Sequence, residues 1–134
     1  MLPWTALKAT PMPVLAALRQ RLTDRQGFAL ATINLDHLVK LRRLPAYRAA
    51  YAAHDLICAD GNPIVWLSRL AGKPLALVPG SDVLRPLLQV AAREGRSVAF
   101  VGSTDQTLQA AADRLTREIP GLQVAVRYAP AMGF

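Results

Sequence analysis

At 134 residues the chain has the length of one domain, and 52% hydrophobic against 19% charged residues describes a globular protein, not a disordered one. The single cysteine, Cys58, excludes an internal disulfide, and no apolar run approaches the roughly 20 residues of a bilayer crossing. A net charge of +7, from 13 arginines and 3 lysines against 9 acidic residues, favours anionic partners such as nucleotides, diphosphates, acidic lipid or nucleic acid. That charge is scattered, however. Arg42-Arg43 is the only adjacent basic pair and no aromatic residues alternate with basic ones, which argues against nucleic acid. Lys8 is the only basic residue near the N-terminus, with no compact apolar segment and cleavage site behind it, so a secretory signal is not expected. Together with the lone cysteine, read as a small buried core residue, this points to the cytoplasm.

In chain order, Met1 to Pro13 carries three prolines and reads as an irregular lead-in to a core over residues 14–134. Val14, Leu15, Leu18 and Leu22 form a helical stripe, with Arg19, Arg21 and Arg25 largely off it, and Gly27 ends the helix. Phe28 to Asn34 reads as a buried strand whose last positions turn polar at Thr32 and Asn34, although turn chemistry alone can place such residues there. Leu35, Leu38 and Val39 continue as a helix face. Pro45 restarts it, and Tyr47, Ala50 and Tyr51 complete it. His37, in the first turn after the strand, reads as a surface or capping residue.

Leu56 to Ala59 is the next buried strand, followed by Asp60-Gly61 as a tight exit and then Asn62-Pro63. Asn is a favoured N-cap and Pro a favoured first helical residue, so the spacing predicts a helix from Pro63 to Ala71 capped by Asn62 and stopped by Gly72. A carboxylate, Asp60, thus falls where a strand ends and a helix begins, the edge at which α/β sheets bind ligands. Lys73 to Val78 is a short extended segment. Pro79-Gly80-Ser81-Asp82 turns into a helix bearing Val83, Leu84, Leu87, Leu88 and Ala91, in which Pro86 must lie near the first turn or kink the helix. Ser97 to Val101 is a strand. Gly102-Ser103 follows, with Ser103 and Gln106 matching a capping box. Leu108, Ala111, Ala112, Leu115 and Ile119 then mark an amphipathic helix, and Leu122 to Tyr128 a last strand. Strands alternating with helices, without hairpin signals, predict one α/β domain with a mainly parallel, Rossmann-like sheet flanked by helices.

In such a sheet the strand exits Thr32-Ile33-Asn34, Asp60-Gly61-Asn62 and Gly102-Ser103 converge on one edge, and Gly80-Ser81-Asp82 can join them. Hydroxyls, an amide, glycine backbone and carboxylates beside helix N-termini suit a phosphorylated ligand. There is no phosphate-binding loop ending in Gly-Lys-Ser/Thr, no dinucleotide glycine fingerprint, no Cys/His metal cluster and no Gly-x-Ser-x-Gly elbow, so neither cofactor nor metal is expected. Asp60 is the natural general base.

Thr32-x-Asn34, Asp60-Gly61, Gly80-Ser81-Asp82, Phe100-Val101-Gly102-Ser103 and the closing Tyr-Ala-Pro-Ala-Met-Gly-Phe together resemble the WecG/TagA/CpsF glycosyltransferase family, from about Phe28 to the last residue. The resemblance implies an inverting transfer of a sugar from a nucleotide-sugar donor, usually UDP-linked, to a polyprenyl-diphosphate-linked saccharide. It places that reaction at the cytoplasmic face of the membrane, in surface-polysaccharide or teichoic-acid assembly. It also implies Asp60 as the base, Thr32 and Asn34, with the neighbouring Gly61 and Asn62, at the sugar site, and Gly80, Ser81, Asp82, Gly102 and Ser103 flanking the donor. Members carry an acidic-basic pair shortly before the Gly-Ser-Asp turn, where this chain has Ala76 and Leu77. Members also continue past the position of Phe134, so the resemblance implies a core truncated relative to the family. A truncated core would expose apolar surface and favour self-association. The second reading is a nucleotide-sugar-binding module without turnover, and the third a basic α/β domain docking on RNA or another acidic partner.

Overall fold

The computed structural model describes residues 11–131. Its elements run α1 (Pro11–Thr23), β1 (Leu30–Ile33), α2 (Leu35–Arg43), α3 (Pro45–Ala52), β2 (Leu56–Ala59), α4 (Asn62–Leu70), α5 (Gly80–Arg93), β3 (Ser97–Val101), α6 (Asp105–Glu118) and β4 (Gln123–Tyr128). The class is α/β with parallel strand pairing throughout, consistent with a Rossmann-like fold. The chain divides into two compact units, Met1–Leu84 and Arg85–Phe134, each with its own ladder. The four strands form two separate two-stranded ladders instead of the single sheet expected.

In the first unit β1 and β2 pair in register from Leu30↔Leu56 to Ile33↔Ala59. The sheet's helix-bearing core gathers Ile33, Leu41, Tyr51, Ala59, Ile64 and Val65. Val14 and Leu18, one helical turn apart on α1, are fully buried. α1 starts at Pro11, within the expected lead-in, because prolines in a first turn remove only N–H groups that have no helical partner. Residues 1–10 of that lead-in lie outside the described residues.

β1 is shorter than the apolar run suggested, since the turn from α1 reaches Ala29: the Asp55 carboxylate accepts from Ala29 N at 2.8 Å. The extended segment expected over Lys73 to Val78 reduces to one parallel bridge, Ala59↔Leu77. Pro74 and Pro79 flank it, and proline brings no donor to a ladder.

Helix ends follow their glycines. Gly72 (φ 68°) and Gly95 (φ 63°) sit just past α4 and α5. In each case the glycine N–H bonds three residues back and the following N–H five residues back, the paired bonds of a Schellman turn. In the second unit β3 and β4 pair in parallel with a register shift between Val98 and Ala99. Leu88, Ile119 and Leu122 form that unit's core beside Val98, Phe100 and Leu115. Pro86 lies inside α5, beyond its first turn, and has no N–H for the Asp82 carbonyl.

Candidate functional site

The β1–β2 register decides what lies at the ladder's exit. Ile33 is the last β1 residue, opposite Ala59, and the next β2-side amide, Asp60 N, donates to Ile33 O at 2.9 Å. Asp60 is therefore tied across to the end of β1. The Ala59 carbonyl, on the other side of β2, accepts from Val78 N at 2.9 Å. That bond delivers Pro79 and the start of α5 alongside Asp60.

The outcome is a close meeting of three segments. A β-carbon placed on Gly80 would stand 3.2 Å from the Thr32 methyl and 3.9 Å from Asp60 Oδ2. Thr32, Asp60 and Gly80 thus lie side by side, from three segments that are 20 or more residues apart in sequence. Asp60 is half-buried, and among the described residues no hydrogen bond or ion pair engages its carboxylate. Gly80 opens α5 after Pro79, whose carbonyl accepts from Asp82 N and Val83 N. The Gly80 and Ser81 amides of that first turn have no helical carbonyl to reach. Ser81 Oγ lies 3.3 Å from Asp82 Oδ1, both residues exposed.

The remaining expected residues are placed differently. Asn34 is half-buried and caps α2: its Oδ1 accepts from His37 N at 3.0 Å. Asn62 is not the cap of α4. That position is Gly61 at φ 97°, a conformation reserved for glycine, so the helix begins one residue early and Asn62 becomes its exposed first residue. Gly102 (φ 119°) and Ser103 (φ 57°) lie at the exit of β3 in the second unit. The expected Ser103–Gln106 capping box does not form, because Ser103 is in the left-handed turn. Thr104 caps α6 instead, accepting from Thr107 N at 3.2 Å.

One constellation was not anticipated. By strand alternation the Thr32 carbonyl points away from β2, an edge acceptor without a ladder partner. Tyr51, buried on α3, donates its hydroxyl to that carbonyl at 2.6 Å. Tyr51 Oη is also 2.8 Å from His37 Nδ1, which is itself 3.2 Å from the Thr32 carbonyl. With the phenol proton committed to Thr32, hydrogen-bond bookkeeping puts a proton on Nδ1. Burial, and after it the neighbouring Tyr47 hydroxyl, push the Tyr51 phenol up from its usual range, which keeps it a donor. His37 is thus half-buried support for the β1 exit, not a surface residue. A sequence cue existed only in outline: an edge strand needs a donor for its outward carbonyl, and Tyr47 and Tyr51 lie one turn apart on the facing helix with their rings in tilted contact.

Burial pushes the Cys58 thiol up, as befits a core cysteine. Among the described residues no three His, Cys, Asp or Glu side chains gather as a metal site. No described helix is long and apolar enough to cross a membrane.

This parallel strand exit thus combines a threonine, a carboxylate that no described residue engages, and a helix opened by glycine, at the edge where α/β sheets bind ligands. Comparison with known proteins gives the family. Residues 4–134 match the glycosyl transferase WecG/TagA/CpsF family, and the chain belongs to it. The chain is 30% identical over 105 residues to an N-acetylglucosaminyldiphosphoundecaprenol N-acetyl-beta-D-mannosaminyltransferase of Bacillus spizizenii. That alignment covers 78% of this chain and 41% of the relative, so the chain spans less than half the length of the curated protein it matches.

Proposed function

We propose that this chain carries the donor cleft and catalytic base of an inverting glycosyltransferase. The donor is a nucleotide sugar, UDP-linked, and the acceptor a polyprenyl-diphosphate-linked saccharide. The setting is surface-polysaccharide or teichoic-acid synthesis, at the inner face of the cell membrane. The observation that carries this reading is the close approach of Thr32, Asp60 and Gly80. The relative's name, an N-acetylmannosaminyl transfer to a diphosphate-linked lipid, supplies the chemical class.

In this reading the Asp60 carboxylate takes the proton from the acceptor hydroxyl as its oxygen attacks the anomeric carbon from the face opposite the nucleotide. The bond from that carbon to the phosphate oxygen breaks, and the electron pair leaves with the nucleoside diphosphate. Without an ion-pair partner, Asp60 is available to receive that proton. Thr32 and the Asn34 amide, with Gly61 and Asn62 beside them, border the sugar. The Gly80 and Ser81 amides and Asp82 border the donor, where a helix start favours negative charge. Gly102 and Ser103 are assigned to the donor from their sequence position alone.

The test has two arms. A UDP-sugar should raise the melting temperature, by about 2.7 kcal/mol of added stability at a hundredfold excess over Kd. Radiolabelled sugar should also pass to a lipid-diphosphate acceptor. A donor shift without transfer would leave a nucleotide-sugar-binding module, and no shift at all would remove the donor cleft.

A further inference from the structure

The outer face of α4 is unlike a solvated helix face. Trp66 and Leu70, one turn apart, are 62% and 86% exposed, with Leu67 half-exposed beside them and Arg69 exposed between. The helix's other side is spoken for, since Ile64 and Val65 are buried in the first unit's core. The Schellman turn then fixes Lys73 against the helix end through its N–H to Ser68 O at 2.9 Å. From Gly61 through Ser81 there is no acidic residue. The apolar surface also continues inward: Leu67 and Lys73 line an apolar cavity of about 680 Å³ together with Ile33, Leu38, Ile64 and Leu75. α2, which contributes Leu38, also exposes Leu35 and Val39 one turn apart, but there the exposed Asp36–Lys40 ion pair lies beside them.

Isolated exposed apolar residues are ordinary on a protein surface, but contiguous ones rimmed by polar groups mark a docking site. An exposed tryptophan and leucine beside basic residues and no acidic ones match the chemistry of a bilayer interface. There indole sits at headgroup depth, leucine enters the acyl boundary, and Lys and Arg meet anionic headgroups. We propose that the exposed face of α4, Trp66, Arg69 and Leu70 with Lys73, docks this chain on an anionic lipid bilayer. The inference rests on the reading of the acceptor as lipid-linked, to which it adds the surface that meets the lipid.

Trp4→Phe leaves Trp66 as the sole tryptophan, a reporter inside the proposed contact. With vesicles of equal parts phosphatidylglycerol and phosphatidylcholine, Trp66 emission should move to shorter wavelength and be quenched by acyl-brominated lipid. Pure phosphatidylcholine should give a much weaker response. Arg69→Gln and Lys73→Gln should each weaken partitioning about five-fold, the equivalent of one basic contact with an anionic surface. Leu70→Glu, at a site too exposed to affect folding, should abolish the shift. No lipid-dependent shift from a protein with unchanged circular dichroism would overturn the proposal. So would a shift that follows protein concentration without lipid, which would assign the face to a second copy of the chain. The UDP-sugar melting assay separates the two readings. Vesicle binding without a donor response would sink the transferase reading and keep this one, and the reverse would sink this one alone.

Discussion

The two parallel ladders of this molecule end in different ways. β1 and β2 exit into side-chain chemistry: Asn34 caps α2, Tyr51 and His37 hold the Thr32 carbonyl, and the Asp60 carboxylate, beside Gly80, is engaged by no described residue. β3 exits into backbone, with Gly102 and Ser103 both at positive φ before Thr104 caps α6. Side-chain ion pairs of the second unit lie on its surface at the far end of α6, where Glu118 pairs with Arg85 and Arg114. A position that must hold a reactive group benefits from a preorganised frame of hydrogen bonds. A position that only turns the chain and offers backbone can rely on dihedral angles alone. The proton transfer proposed above falls at the first of these exits.

Asp60→Asn gives the largest break in that comparison. It keeps the side-chain shape and removes the base, so the transfer rate should fall by about 10²–10⁴-fold. The UDP-sugar melting shift should be kept. A variant with full rate would move the base elsewhere, and the asymmetry between the two exits would then have no catalytic meaning.

The frame itself is tested by Tyr51→Phe. The Thr32 carbonyl would keep only the longer His37 contact, and His37 would lose its phenol partner. A loss of about 1–2 kcal/mol in urea unfolding is expected for a buried bond broken on one side. If stability is unchanged, the cluster is not what holds the β1 exit.

These two variants also show how far a sequence reading reaches. Periodicity locates all but the shortest elements, because burial on one face repeats every turn or every second residue whatever the tertiary partner. Asp60 at a strand end is visible for the same reason. The Thr32–Gly80 approach is not, since it depends on the Ala59–Leu77 bridge, with its Val78 N to Ala59 O bond, forming between two prolines. Nor is the Tyr51–Thr32 bond, which joins residues 19 apart through the packing of α3 on β1. The misplaced caps at Asn62 and Ser103 have one cause. Both residues have the right chemistry, but the adjoining chain takes a positive φ at Gly61 or at Ser103 itself, and this moves the helix start by one residue.

Ser103→Gly probes the second exit with a smaller effect of opposite sign. A non-glycine residue at φ 57° costs about 1–2 kcal/mol in the left-handed region, and glycine recovers part of this while losing more backbone entropy. A net gain below about 1 kcal/mol is expected in thermal unfolding. A loss would mean that the serine side chain, not the backbone, secures this turn.

The finest distinction is between two surface carboxylates, Asp55 in the first unit and Glu118 in the second, both held below the usual carboxylate range. For Asp55 the largest cause is the hydrogen bond from Ala29 N, followed by Arg21 at 3.2 Å. For Glu118 it is the Arg114 guanidinium, with Arg85 and Arg117 adding attraction. A depressed folded-state pKa means the unfolded chain binds the proton more readily. Each group therefore contributes stability that is present above the usual carboxylate range and lost as pH falls through its lowered value. Salt separates the two, because it screens attraction between exposed charges far more than a backbone hydrogen bond. In acid titrations of stability the difference between wild type and Glu118→Gln should therefore shrink markedly at 1 M salt, on the order of a 3 Å screening length. The difference for Asp55→Asn should persist. Equal salt sensitivity would show that Arg21, not the Ala29 amide, governs Asp55, and that the first unit's entry to β1 is held by charge in the same way as the α5–α6 surface.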